Sequence, residues 1–152
     1  MNVFKLRIAT LQDAEITYNW ANDPIIRQFS FSKDKIEWHN HMEWFQNKIN
    51  SEKCLYLILE EGTLPVGSIR FDIDQDCCGV ISYLIVPSFH GRGLGEFLLM
   101  NGIDKLIELI PNIHAVAGTV FKENKASIRI FEKSGFQIVS ADQLSIKYIK
   151  NI

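Results

Sequence analysis

The order of hydrophobic patterns predicts an α/β (α+β) fold: a mixed antiparallel and parallel twisted sheet with helices on its faces. Three observations carry this. Apolar residues at helical spacing occupy the first third of the chain. Three apolar runs joined by short polar turns follow, which makes them antiparallel neighbours. Strand, helix and strand then succeed one another, the pattern of a right-handed parallel crossover. The chain has 152 residues and no repeat or linker-like stretch, so residues 1–152 are expected to form a single domain. A chain of this size can bury roughly two-thirds of its unfolded surface without a disulfide or metal.

The elements follow in order. Residues 5–9 alternate apolar and polar and open the sheet. Thr10 precedes a helix start, with Asp13 three residues on as a capping box. Leu11, Ala14, Tyr18 and Ala21 keep helical spacing, and Pro24 is expected to close or kink that helix. A second helix is expected over residues 35–50, on Ile36, Trp38, Met42, Phe45 and Ile49. Residues 54–59 are a buried-strand run, residues 66–73 a second strand and residues 80–86 a third, with turns at 61–63 and 74–79. After Pro87, the stripe Leu99, Ile103, Leu106 and Ile110 is helical, and Pro111 ends it. Residues 115–121 read as a strand. Residues 124–134 read as a short helix closed by Gly135. Residues 136–139 and 144–149 finish the sheet.

Composition excludes several functions. Sixteen Lys+Arg against eighteen Asp+Glu leave a net charge of −2. With no basic block, nucleic acid is not expected as a partner, because neutralising phosphates takes clustered cations. An acidic small molecule needs only a local site and stays compatible. Apolar runs such as that near residues 81–86 are far short of the ~20 residues that span a bilayer, so no membrane partner is expected. Met1, Asn2, Val3, Phe4 and Lys5 open no leader pattern. Cys54, Cys77 and Cys78 are odd in number with no CxxC spacing, which argues against a disulfide framework and a metal site. The expected compartment is the reducing cytoplasm. The adjacent Cys77 and Cys78 read as a turn pair.

The most informative segment is His90-Gly91-Arg92-Gly93-Leu94-Gly95-Glu96, between a strand and a helix. Its glycines permit positive φ and close backbone approach. Amides of Arg92 to Glu96 would then leave a helix N-terminus, where a phosphate is favoured. A dinucleotide G-x-G-x-x-G would need glycine where Glu96 stands, and no Gly-Lys-Ser/Thr of a P-loop is present. A turn that merely reverses the chain is the alternative.

Two blocks together resemble the GCN5-related N-acetyltransferase (GNAT) superfamily. His90-Gly91-Arg92-Gly93-Leu94-Gly95 resembles its R/Q-x-x-G-x-G/A signature. The segment from Asn124 through Ser127 and Phe131-Glu132-Lys133 to Gly135-Phe136 resembles its N-x-x-S/A block with an EKxGF ending. The resemblance covers essentially the whole chain and implies the single-domain GNAT fold with acetyl-CoA, or another acyl-CoA, as donor. The pyrophosphate would sit on amides of Arg92, Gly93, Leu94, Gly95 and Glu96, beside His90 and Gly91. The pantetheine arm would pair with the backbone of Leu84, Ile85 and Val86, as an added strand does. Asn124, Ser127 and Phe131 would border that arm. His90 stands where the family carries Arg or Gln, so weaker phosphate binding is expected there.

An amine attacking a thioester needs a neutral amine, a donor for the developing oxyanion, and a proton for the departing thiolate. A backbone amide near Ile85 is the expected donor. Family members often protonate the thiolate with a tyrosine just before the Glu-Lys pair, where this chain has Phe131. Tyr83 is the substitute candidate; water, or no acid, is the alternative. Candidate bases are His41, His39 and Asp72, although a histidine on an amphipathic helix can equally be a packing residue.

Seven of the seventeen aromatics lie between Tyr18 and Phe45, including all three tryptophans. Packing of two helices onto the sheet explains many of them. The pattern Trp20-Ala21-Asn22-Asp23-Pro24, Arg27, and His41-Met42-Glu43-Trp44-Phe45 also resembles the amino-sugar N-acetyltransferases of pseudaminic acid biosynthesis. It implies a UDP-linked amino sugar met by Trp20, Arg27, His41 and Trp44. The tryptophan-led opening and Ser127 are also similar to N-terminal acetyltransferases of ribosomal proteins. Three hypotheses follow: an amino-sugar N-acetyltransferase with a small-molecule amine acceptor, a protein N-terminal acetyltransferase, and a non-catalytic acetyl-CoA-binding module. A homodimer is left open.

Overall fold

Side chains alternate across the strand Cys54–Glu61, and that alternation builds two cores. Leu55, Leu57 and Leu59 enter the larger one, while Tyr56 and Ile58 enter the smaller one on the opposite face. The computed structural model describes residues 3–152. Met1 and Asn2, where the sequence shows no leader pattern, lie outside the described residues.

The strands are β1 (Phe4–Ile8), β2 (Cys54–Glu61), β3 (Leu64–Ile73), β4 (Cys78–Ile85), β5 (Ala115–Phe121), β6 (Gln137–Ala141) and β7 (Ser145–Asn151). They form one seven-stranded sheet in the order β1-β2-β3-β4-β5-β7-β6. The four N-terminal strands are antiparallel neighbours. Short turns impose this on β2–β3 and β3–β4, while β1 reaches β2 across the helix-bearing residues 9–53. The β4–β5 pair is parallel, as the intervening helix requires. The helices are α1 (Ala14–Ala21), α2 (Pro24–Arg27), α3 (Trp38–Ile49), α4 (Leu94–Leu109) and α5 (Lys125–Lys133). Leu98, Leu99, Ile103 and Leu106 of α4, with Phe131 of α5, fill the larger core. Trp20 of α1 and Phe45 of α3 fill the smaller one.

Two local expectations are corrected, and a third is met. Thr10 forms the expected capping box with Asp13. Its N–H donates to the Asp13 carboxylate at 2.8 Å, and the chain enters α1 through a turn of 3₁₀ helix at Leu11–Asp13. Pro24 closes no helix. The first helix ends at Ala21, and Pro24 begins α2, where its missing N–H costs nothing; Asp23 caps it by accepting from the Ile25 N–H. The helix expected over residues 35–50 starts at Trp38, because Ile36 is held extended: its N–H donates to Asn22 Oδ1 and its carbonyl accepts from Asn22 Nδ2.

One feature of the sheet positions the site. Only Cys78, Gly79 and Val80 of β4 pair with β5, opposite Ala115, Val116 and Ala117. Beyond Val80 the two strands part. The rest of β4 stays paired with β3, while β5 stays paired with β7.

Candidate active site

Where the strands part, β4 presents a bare backbone edge. The Val86 N–H donates to the Val66 carbonyl at 2.9 Å. Antiparallel residues alternate in which neighbour they address, so the amides of Ile85 and Tyr83 point away from β3, toward the opening. Leu84 turns its side chain to the smaller core instead. An extended chain laid in the opening would find donors and acceptors there, with the Ile85 amide at hand for a developing oxyanion.

The glycine-rich turn lies directly beyond. Gly91 and Gly93 adopt φ of +78° and +75°, which side-chain-bearing residues avoid. Gly93 precedes α4, and the Phe97 N–H is the first of that helix to reach a carbonyl, that of Gly93 at 3.2 Å. Among the described residues, the amides from Gly91 through Arg92, Gly93, Leu94 and Gly95 to Glu96 meet no backbone acceptor. This is a phosphate-sized row of donors at a helix N-terminus. Gly95 also admits Ile130: a Cβ at 95 would come within 2.8 Å of its Cδ1. Leu94 anchors the turn in the larger core. The flanking side chains turn elsewhere. Arg92 lies over Phe89 and reaches Glu61, and Glu96 pairs with Lys133 at 3.1 Å. His90, expected beside the phosphates, closes the end of β4 instead. Its Nε2 is 2.7 Å from the Ile85 carbonyl, and since a carbonyl only accepts, Nε2 carries the hydrogen.

Asn124, Ser127 and Phe131 come from α5 on the far lip. Asn124 caps the helix, its Oδ1 accepting from the Ser127 N–H at 3.2 Å. Phe131 is only 2% exposed and packs on Phe136 and Tyr148. Ser127 brings α5 to β4: its hydroxyl lies 2.6 Å from the Tyr83 hydroxyl. Burial pushes the Tyr83 phenol above its ordinary value, against the opposing pull of that hydrogen bond, so the group keeps its proton at neutral pH.

The face of the sheet opposite α4 holds a cavity of about 480 Å³. Trp20, Arg27, His41, Trp44, Tyr83 and Leu84 line it, so the expected acceptor residues and the candidate acid share one space. His41 is 3% exposed among Tyr18, Trp44 and Phe45. Burial pushes its pKa below the usual 6.5, against a weaker opposing pull from the Ala14 backbone, and keeps the ring neutral. The Thr17 hydroxyl lies 2.8 Å from the Asp13 carbonyl, 3.1 Å from the Ala14 carbonyl and 3.1 Å from His41 Nε2. In the tautomer whose Nε2 donates to Thr17, His41 Nδ1 keeps the lone pair a base needs.

Asp72 is not in this cavity. It accepts from Lys48 at 2.7 Å and from Arg70 Nε at 2.8 Å. Burial alone would raise its pKa, but those two bonds outweigh burial and hold the carboxyl below its usual range. It is a poor base and a good anchor. His39 is exposed and lines no part of the cavity. Arg70, Tyr56, Ser68 and Ser82 do line it, from the central strands. Sequence reasoning missed them because one arginine or serine in a strand carries no pattern. The usable signal was the polar interruption of apolar runs at Ser68, Arg70 and Ser82.

Comparison with known proteins is consistent with this geometry. The profile of the acetyltransferase (GNAT) domain matches residues 4–137. The acetyltransferase PseH of Campylobacter jejuni is 26% identical over 133 residues, covering 87% of this chain and 82% of that one. A domain from Methanocaldococcus jannaschii superposes with a TM-score of 0.86 at 21% identity, over 100% of both chains. The spermidine N-acetyltransferase of Vibrio cholerae, solved with CoA and spermine, also gives 0.86, at 17% identity, over 97% of this chain and 95% of that one.

Proposed function

The chain belongs to the acetyltransferase (GNAT) family, and on that premise we propose that it transfers acetyl from acetyl-CoA to the primary amine of a nucleotide-linked amino sugar. That it is an acetyl-CoA-dependent N-acetyltransferase follows from the family. The sugar acceptor is the further step. The observation that carries it is the aromatic cavity, large enough for a sugar and walled by Trp20 and Trp44. Apolar sugar faces and bases stack on such rings. PseH, among the relatives, supports the same choice.

The donor fits the residues present. Bare amides at 91–96 suit a pyrophosphate, and the unpaired edge of β4 suits an extended amide-bearing arm. Bound there, acetyl-CoA supplies an acyl carbon already activated as a thioester. The Ile85 amide takes the charge that develops on the acyl oxygen. His41 holds the acceptor amine in its neutral form or removes its proton. Tyr83 gives a proton to the departing sulfur, with Ser127 hydrogen-bonded to the phenolate that results. The small-molecule acceptor enters from the cavity face and the donor from the parted strands.

Thiol release from acetyl-CoA, measured against a panel of amines, tests this reading. Release with UDP-linked amino sugars and none with peptides or spermidine is expected. Release with peptides alone would replace it with N-terminal protein acetylation. Tight CoA binding without release on any amine would leave a binding module.

A further inference from the structure

We infer that Arg70 is the specificity-determining residue of the acceptor cavity and that it reads an anionic group, a phosphate or carboxylate, on the amine substrate. Among the described residues, the cavity lining contains two guanidiniums, Arg27 and Arg70, and no aspartate or glutamate. A space with that charge repels polyamines and attracts amines that carry an anion.

Arg70 is held on three sides. Its Nε donates to Asp72 Oδ2 at 2.8 Å, and Asp72 is itself fixed by Lys48 at 2.7 Å. One of its terminal nitrogens donates to the Ser82 hydroxyl at 3.2 Å. Its guanidinium carbon lies 4.8 Å from the centre of the Trp44 ring and 5.9 Å from that of Tyr56. Lys48, Asp72 and Arg70 together leave one net positive charge, so the aspartate orients the fork without cancelling the site. A guanidinium has five N–H donors, and these two bonds use two. The remaining donors, in a planar fork, match the oxygens of phosphate or carboxylate. None of these contacts supports the fold's larger core, and Arg70 is only partly exposed, with a fifth of its side chain in contact with solvent.

This inference rests on reading the cavity as the acceptor site, but it does not require a nucleotide. The test is calorimetric titration of the protein saturated with CoA, which keeps probes off the phosphate turn. The probes are UDP, inorganic pyrophosphate, malonate and spermine. UDP and pyrophosphate bind and spermine does not. Arg70→Gln weakens the anions at least about ten-fold, and Arg70→Lys recovers part of that, since it restores charge without the fork. Unchanged CoA affinity in both variants certifies the fold. Malonate binding as tightly as pyrophosphate assigns the anion to a carboxylate. UDP binding no tighter than pyrophosphate removes the nucleotide reading and keeps the anion site. Anion affinity unchanged in Arg70→Gln, or spermine binding in preference to the anions, overturns the inference.

Discussion

At the residue scale, the proposed donor side depends on two backbone conformations and one hydroxyl. Gly93→Val places a β-branched residue at φ +75°, where no Cβ contact arises but the backbone conformation itself is strained. Acetyl-CoA affinity should fall at least about ten-fold, with the domain still folded by circular dichroism, because the amide row tilts away from the phosphate. Unchanged affinity would remove the turn from the site. Tyr83→Phe leaves the ring against Phe131 and Ser127 but removes the proton. The turnover number should fall about a hundred-fold, with the acetyl-CoA KM little changed, and the alkaline limb of the rate profile should disappear. A normal rate at every pH would leave water as the acid. The glycine turn was legible because glycines after a strand and before a helix have few other uses. Arg70 was not, because Trp44, Asp72, Ser82 and Lys48 reach it only after α3, β3 and β4 are assembled.

At the element scale, strands and helices came out where hydrophobic period placed them, while their ends were decided by local polar bonds. Ile36 looks helical by spacing, but the Asn22 side chain holds its N–H and carbonyl, so α3 starts two residues later. Apolar spacing carries no trace of such a clamp. The packing of α5 on the sheet has a similar hidden requirement. A Cβ on Gly118 of β5 would come within 2.8 Å of two Phe131 ring atoms, and Phe136 and Tyr148 keep that ring from retreating. Gly118→Ala should cost about 1–3 kcal/mol in urea denaturation. It should also weaken acetyl transfer, because α5 carries Ser127 to Tyr83. A neutral effect on stability would mean that α5 slides freely on β5.

For the molecule as a whole, the sequence predicted a mixed sheet with helices on both faces, and the strand order bears this out. It did not disclose that β4 and β5 part after Val80, since parallel pairing is long-range and leaves no local signal. In the proposed function, donor and acceptor meet at that parting. Stability should follow pH through the same buried groups. Burial lowers the pKa of His41 from 6.5, so the unfolded chain binds the proton more readily and stability should decline as pH falls below that value. Asp13 is buried, which opposes ionisation, yet its bonds from Arg7 and the Thr10 amide hold it below 3.8. Asp72 behaves alike through Lys48 and Arg70. Their stabilisation is present above 3.8 and should be lost as pH falls through their lower folded values. Urea midpoints from neutral to strongly acidic pH should therefore fall in two stages, and His41→Gln should remove the first.

Under the proposed function, this parted sheet brings acetyl-CoA to the amine of a nucleotide-linked sugar. Incubation of the protein with carbon-labelled acetyl-CoA and a UDP-linked 4-amino sugar, followed by NMR of the product, tests it most directly. One labelled acetyl group in amide linkage to the sugar nitrogen is expected. Unlabelled sugar, under conditions where the same protein acetylates a peptide or spermidine, would contradict it.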